Sequence, residues 1–240
     1  RLLKKTGGVP SLEELGLRGK ALVNLQENIA RPHGIILITG PTGSGKTTTL
    51  YSILSKLNST RVNIITLEDP VEYQIGGVNQ VQINPQAGLT FASGLRSFLR
   101  QDPNIIMVGE IRDSETTELA IQASLTGHLV FSTLHTNNAA GALPRLLDMH
   151  AEPYLIASTV TCVVGQRVVR QICPSCKVPK KATEITLAQI SKILGNLYDL
   201  KKHPVTTLYY GKGCAECNKT GYLGRIGIFE VLVITEAIGK

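Results

Sequence analysis

Ile35 to Thr49 reads IILITGPTGSGKTTT, an apolar run that meets a glycine-rich turn and then Lys46 and Thr47. Gly40, Gly45, Lys46 and Thr47 stand at the spacing of a phosphate-cradling loop, between a strand-like run and a helix-like one. Gly40, Gly43 and Gly45 let the backbone turn tightly enough for consecutive N–H groups to converge on phosphate oxygens, where a Cβ would crowd the ligand. A helix starting near Lys46 points its positive end at the same place. Lys46 adds a point charge for the β- and γ-phosphates, and the Thr47 hydroxyl is a candidate Mg²⁺ ligand. The segment Gly40, Pro41, Thr42, Gly43, Ser44, Gly45, Lys46, Thr47 and Thr48 is therefore the candidate nucleotide-binding loop.

Outward from this loop the chain has a regular rhythm. Ser11 and Glu14 form a capping-box pattern that predicts a short helix ending at Gly16, and Leu22, Leu25 and Ile29 predict a second one that Pro32 stops. After the loop's helix, Val62 to Thr66 is a β-branched run that delivers Glu68 and Asp69. Val71 to Ile83 alternates about Gly76-Gly77 and is expected to be a β-hairpin. Phe91, Leu95, Phe98 and Leu99 mark the buried face of a helix that carries Arg96 and Arg100 on another side. Ile105 to Val108 is a buried strand ending at Gly109-Glu110. A helix from Ser114 to Leu125 and a strand from Leu129 to Thr133, flanked by His128 and His135, follow. Alternating strands and helices argue for an α/β fold with a mostly parallel sheet, whose ligands bind at the carboxyl ends of the strands. Gly40, Glu68, Glu110 and His135 all fall at such ends. Phosphoryl transfer from ATP to water needs Mg²⁺, a positioned water and positive charge. On this pattern Glu110, Glu68, Lys46 and His135 are the candidate catalytic residues, with either acid as the base.

The chain of 240 residues is 42% hydrophobic, ample for a core, and carries a formal net charge of +7, with a pI near 9.2. That charge permits a nucleic-acid partner, but the basic residues look scattered and only 5% of the chain is aromatic, so none is expected. The most apolar stretch, Leu155 to Val169, is broken by Gly165, Gln166 and Arg167, which argues against a membrane span. No leader pattern is visible, and the expected compartment is the cytoplasm. The first residue is Arg, and the chain reads as a fragment: residues 1–30 as the tail of an N-terminal domain with linker helices, 31–170 as the nucleotide-binding core, 171–224 as a cysteine-bearing subdomain, and 225–240 as the start of a truncated C-terminal region.

Four segments together, GPTGSGKT, TLEDPVEY, IIMVGEIRD and TGHLVFSTLHTN, in that order, closely resemble the motif set of the secretion-superfamily ATPases, in particular the type II secretion and type IV pilus assembly motors. The resemblance extends to ARPHG and LRSFLRQDPN and so covers nearly the whole chain. It implies a RecA-like core in which Lys46 and Thr47 bind phosphate and Mg²⁺, Glu110 is the Walker B acid with Gly109 in place of the usual Asp, Glu68 lies in an acidic box facing the γ-phosphate, and His128 and His135 form a histidine box. Arg96, Arg100, Arg112, Arg145 and Arg225 match family arginines that serve nucleotide sensing or subunit contacts. It also implies a homo-hexamer at the cytoplasmic face of the inner membrane, peripheral to it through an inner-membrane platform protein. The competing expectation is a RecA-like nucleic-acid translocase.

Cys173-Pro-Ser-Cys176 and Cys214-Ala-Glu-Cys217 are paired CxxC knuckles, which suit one tetrahedral Zn²⁺ with a closed shell and hence a structural role. The 37 residues between them exceed the commonest spacing. The interval contains a predicted helix, with a capping-box pattern at Thr186 to Gln189 and a stripe of Ile190, Ile193, Leu194 and Leu197 expected to pack on the knuckle. Assembly and secretion motors carry such a four-cysteine domain and retraction motors lack it, so the resemblance favours assembly or secretion. Cys162, among valines, reads as a core residue.

Overall fold

The computed structural model describes residues 8–195 and 205–239. Leu197 and residues 1–7 of the expected N-terminal tail lie outside them. The chain divides into two compact units, Arg1–Val168 with Gly227–Lys240, and Val169–Ile226.

The first unit is built on parallel strands: β1 (Gly34–Thr39), β2 (Ile64–Glu68), β3 (Asn79–Gln82), β4 (Ile105–Val108) and β5 (Leu129–Leu134). Two long strands, β6 (Val160–Ile172) and β9 (Tyr222–Val233), contribute residues to both units, and the seven-stranded order is β3-β2-β4-β5-β1-β6-β9. Strands β1, β2, β4 and β5 are buried at every residue, as expected of a parallel sheet covered on both faces. Alternate residues of one strand feed two cores. Ile35, Leu37, Ile65, Leu67, Ile106 and Val108 pack with α3 (Phe91–Phe98), α4 (Ser114–Leu125), α5 (Ala142–Asp148) and α6 (Pro153–Thr159). Ile36, Ile38, Ile64, Ile105 and Met107 pack with α1 (Gly19–Ile29) and α2 (Lys46–Leu57) on the other face. Cys162 is fully buried in that second core, where burial pushes its thiol up to about 12.

Two local expectations fail here. Ser11 and Glu14 do exchange the capping-box bonds, at 2.7 and 3.2 Å, but the segment closes as a turn, ended at Gly16 with its φ of +110°. The region Val71 to Ile83 is not a hairpin. Its second half, β3, pairs in parallel with β2, Ile65 opposite Asn79 and Glu68 opposite Gln82. The first half instead sends Val71 and Ile75 into the protein, and the Gln80 carboxamide binds Ile75 N at 2.7 Å and Tyr73 O at 3.1 Å. Those side-chain bonds replace the ladder that alternation suggested.

The second unit contains the end of β6, a 3-10 turn at Pro174–Cys176, the antiparallel pair β7 (Lys177–Lys181) and β8 (Thr207–Gly211), α7 (Glu184–Leu194), and the start of β9. Cys173 N donates to Gly221 O at 3.0 Å. A Cβ on Gly211 would collide with the Gly221 carbonyl, so the two backbones meet only because glycine stands there. The N-cap of α7 is Thr183, whose hydroxyl accepts from Thr186 N, not Thr186 as its spacing to Gln189 suggested. Ile193 is 79% exposed, and α7 has no buried residue, so the expected packing of its apolar stripe is not formed within the described residues. The basic residues are not scattered either. Residues 169–226 hold ten Lys and Arg against three Asp and Glu, so this unit carries the whole +7 of the chain. A final short helix, α8 (Glu236–Gly239), follows β9.

Candidate nucleotide site and metal centre

Because the strands are parallel, the ends of β1, β2, β4 and β5 share one edge of the sheet, and the candidate residues follow from there. The loop after β1 has φ of +146° at Gly40, +77° at Gly43 and +86° at Gly45, conformations that exclude most side chains. A Cβ on Gly43 would meet nothing within 4 Å, whereas one on Gly45 would come within 3.0 Å of the Gln166 carboxamide. The loop is therefore open at its crown and packed at its base. Gly45 is the N-cap of α2 and brings no side-chain cap, which leaves the first helical amides to an incoming anion. Lys46 is buried, and its Nζ donates to Gly40 O at 2.9 Å and Pro41 O at 3.2 Å. Burial lowers its pKa, and the charge of Glu110 opposes that.

Strand β4 ends at Val108, and Gly109 turns the chain so that Glu110 follows. A Cβ at 109 would sit 3.1 Å from Leu67 O and 3.4 Å from Glu68 Cα, so any side chain here would press on the end of β2. β5 secures the turn: Ser132 Oγ donates to Val108 O and Thr133 Oγ1 to Gly109 O, both at 2.7 Å. Glu110 Oε2 lies 2.6 Å from Arg112 Nε and 3.4 Å from His135 Nε2. Lys46, Glu110, Arg112 and His135 thus form one polar cluster beside the loop.

Glu68 is placed differently. It is 2% exposed, and its carboxylate is enclosed by Tyr51 Oη on α2, Thr66 Oγ1 at 2.5 Å and Gln80 Nε2 at 3.1 Å. Burial and the neighbouring carboxylate raise the Tyr51 pKa, so its phenol stays a proton donor. His128 precedes β5, at the opposite end of the strand from His135. Six residues of strand at about 3.3 Å each put it roughly 20 Å from the P-loop edge. Its Nδ1 is engaged by Ala123 O at 2.8 Å and Thr126 Oγ1 at 3.1 Å. Within this chain it ties the end of α4 to β5, at the sheet edge away from the loop. Arg96 on α3 pairs with Glu115 on α4, and Arg100, just past the end of α3, donates from Nη1 to Arg96 O at 3.0 Å; both arginines are exposed. Sequence reading missed Tyr51, Gln80 and Gln166. A polar residue interrupting the apolar run of β6 is the signal available for Gln166.

In the second unit the sulfurs of Cys173, Cys176, Cys214 and Cys217 all lie within 4.8 Å of one another. Cys173–Cys214 and Cys176–Cys217 are 3.8 Å apart and Cys214–Cys217 3.7 Å. Zn–S bonds of about 2.3 Å at tetrahedral angles require S···S edges of about 3.8 Å. The donor set therefore fits one zinc ion. Cys217 Sγ also accepts from Cys214 N at 3.2 Å and Gly221 N at 3.3 Å, and these backbone bonds pull its thiol down to about 6.

A mostly parallel α/β sheet with a glycine-lined P-loop at its carboxyl edge, and an acid and a histidine on neighbouring strand ends, defines a RecA-like P-loop nucleotide-binding core. The family model described as "Type II/IV secretion system protein" matches residues 1–240, and the chain belongs to that family. It is 52% identical over 238 residues to the type II secretion system ATPase E of Vibrio cholerae, covering 99% of this chain and 46% of that protein. It is 50% identical to the type IV pilus assembly ATPase PilB of Thermus thermophilus, over 99% of this chain and 26% of PilB. Among solved structures, the Legionella pneumophila ATPase DotB superposes over 100% of this chain and 54% of its own with a TM-score of 0.67 at 27% identity. The pilus retraction motor PilT, solved with bound ADP, does so over 85% of this chain and 62% of its own, with a TM-score of 0.63 at 33% identity. The chain spans about half the length of the type II secretion relatives it matches.

Proposed function

We propose that the protein of which this chain is part hydrolyses ATP to drive type IV pilus assembly or type II secretion. It works as a homo-hexamer on the cytoplasmic face of the inner membrane, against a membrane platform protein. The observation that carries this reading is the convergence of Lys46, Glu110 and His135 on one sheet edge beside an open, uncapped P-loop. Lys46 leaves the carbonyls of Gly40 and Pro41 to neutralise the β- and γ-phosphates, and the α2 amides hold them. Thr47 and Glu110 would hold Mg²⁺, which would offset the negative charge that develops on the phosphates. Glu110, with one oxygen already facing His135 and 12% exposure, orients the attacking water. Glu68 is the poorer base, since donors from Tyr51, Thr66 and Gln80 hold it away from solvent. It fastens α2 to the β2 end instead. His135 senses the γ-phosphate through Glu110. Arg96, Arg100 and His128 serve subunit contacts.

The relatives named as secretion and assembly ATPases support this reading, and so does the four-cysteine cluster, which suits a structural Zn²⁺. ATP hydrolysis by the chain, measured for wild type and Glu110→Gln, tests it. The expected result is a loss of turnover of about 100-fold or more with ATP binding kept; equal turnover would sink the assignment of Glu110.

The second reading is a nucleic-acid translocase, favoured by the net +7 of residues 169–226. It predicts DNA-stimulated hydrolysis and binding that falls steeply with salt. We expect neither; finding both would reverse the choice.

A further inference from the structure

We infer that Gln166 is a positioning residue of the nucleotide site, holding the base of the P-loop in register for the phosphates through Thr49. The inference rests on the ATP-binding reading above. Strand β6 is otherwise apolar where it is buried, with Val160, Cys162, Val163 and Val164 all 2% exposed or less. Gln166 interrupts it at 4% exposure. A carboxamide buried without partners is costly, so its bonds define what it is for.

Those bonds and contacts lead to the loop from three directions. Thr39 lies opposite Gly165 in the β1–β6 register, which sets Gln166 beside Gly40. Its backbone oxygen occupies the space that a Cβ on Gly40 would need. Its Nε2 stands 3.0 Å from the corresponding position on Gly45, and its Oε1 accepts from Thr49 Oγ1 at 2.9 Å. Thr49 is fully buried, one turn into α2. One residue therefore lies against the first glycine of the loop with its backbone, and against the last glycine and the helix whose amides face the phosphates with its side chain. An apolar residue of the same size would fill the space, but it could not fix the rotation of α2 through Thr49.

Gln166→Glu separates positioning near charge from mere packing. The shape and the acceptor for Thr49 remain, while a negative charge is placed at the base of the loop. Binding of ATP, ADP and AMP to the 240-residue chain is measured by titration calorimetry, with the melting temperature as a check on folding. At pH 8 the ATP affinity should fall by about tenfold or more relative to wild type, ADP by less and AMP least, because the repulsion scales with phosphate charge near the loop. The ratio to wild type should recover as pH falls towards the carboxylate range near 4.3, where the acid becomes neutral. Gln166→Met, which keeps the volume and loses the bond, should match Thr49→Val, and the double variant should be no worse than either.

Losses equal for the three nucleotides and independent of pH would overturn the inference and make Gln166 a packing residue, as would additive effects of Gln166→Met and Thr49→Val. A wild-type chain that binds no ATP would overturn the function and the inference together. Wild-type binding with an unaffected Gln166→Glu would sink the inference alone.

Discussion

In the sheet unit the interior strands are buried residue after residue, with Ile36, Leu37, Ile38, Ile64, Leu67 and Ile106 at no exposure at all. In residues 169–226 the buried apolar side chains, among the described residues, are Cys173 and Cys217. One unit is held by area removed from water, at about 25 cal/mol per Å² over many side chains. The other has almost no such area and brings four sulfurs to one point instead. It also concentrates the positive charge of the chain, which self-repulsion makes harder to keep compact. A distributed core tolerates a single loss, whereas a centre made of four ligands does not.

Five experiments bear on that contrast, and the largest effect belongs to the metal. Structural Zn²⁺ contributes about 10–16 kcal/mol of apparent binding energy in small domains, so chelation or Cys176→Ser should open the segment between Ile172 and Tyr222 to proteolysis. Nucleotide binding by the sheet unit should survive. Elemental analysis together with limited proteolysis reads both, and a metal-free wild type with Cys173 and Cys176 oxidised to a disulfide would end the metal reading.

Lys46→Ala should reduce ATP affinity by about 100-fold or more, by removing the charge on the β- and γ-phosphates, with zinc content unchanged. Equal affinity would remove the site from this loop. Leu67→Ala, at a fully buried position, should cost about 2–5 kcal/mol in denaturant unfolding of the sheet unit. Ile193→Ala on the exposed face of α7 should stay within about 0.5 kcal/mol. A large effect at Ile193 would mean that α7 is covered.

Tyr51→Phe is the finest probe. It removes one donor from the buried Glu68 carboxylate and should cost about 1–3 kcal/mol, lowering the melting temperature. If turnover falls while stability holds, Glu68 belongs in the chemistry and not in the fastening of α2.

The same contrast explains what the amino-acid pattern could reveal. The P-loop was legible because its requirements are local: glycines where φ is positive, then lysine and threonine at the start of a helix. The cysteines were legible because one ion imposes one spacing within each knuckle. Helix α4 and strand β4 followed from period and length. The segment from Val71 to Ile83 was not, because alternation records which side chains are buried and not which strand lies alongside. Gly76-Gly77 offered a turn, and the partner that won was β2, by parallel pairing. Gln166 and Tyr51 escaped for a related reason: each acts through a residue more than fifteen positions away, Thr49 and Glu68, which no short window contains. The histidines flanking β5 looked equivalent in sequence, and only the direction of the strand separates His135 at the site from His128 at the far edge.

The pairing of β1 has a further consequence for how the chain is made. Residues 34–39, which carry the P-loop, find their neighbours in 129–134 on one side and 160–165 on the other. At about 5–20 residues per second, synthesis leaves this apolar strand without either partner for several seconds and without both for on the order of ten. The nucleotide cradle thus leaves the ribosome well before the strands that complete it, the last of which brings Gln166 to its base. A chain ended after Met149, before β6, should therefore retain no ATP and should associate with itself or with chaperones, as sedimentation would show. Retention of ATP by that shortened chain would mean that the loop assembles without its second neighbour.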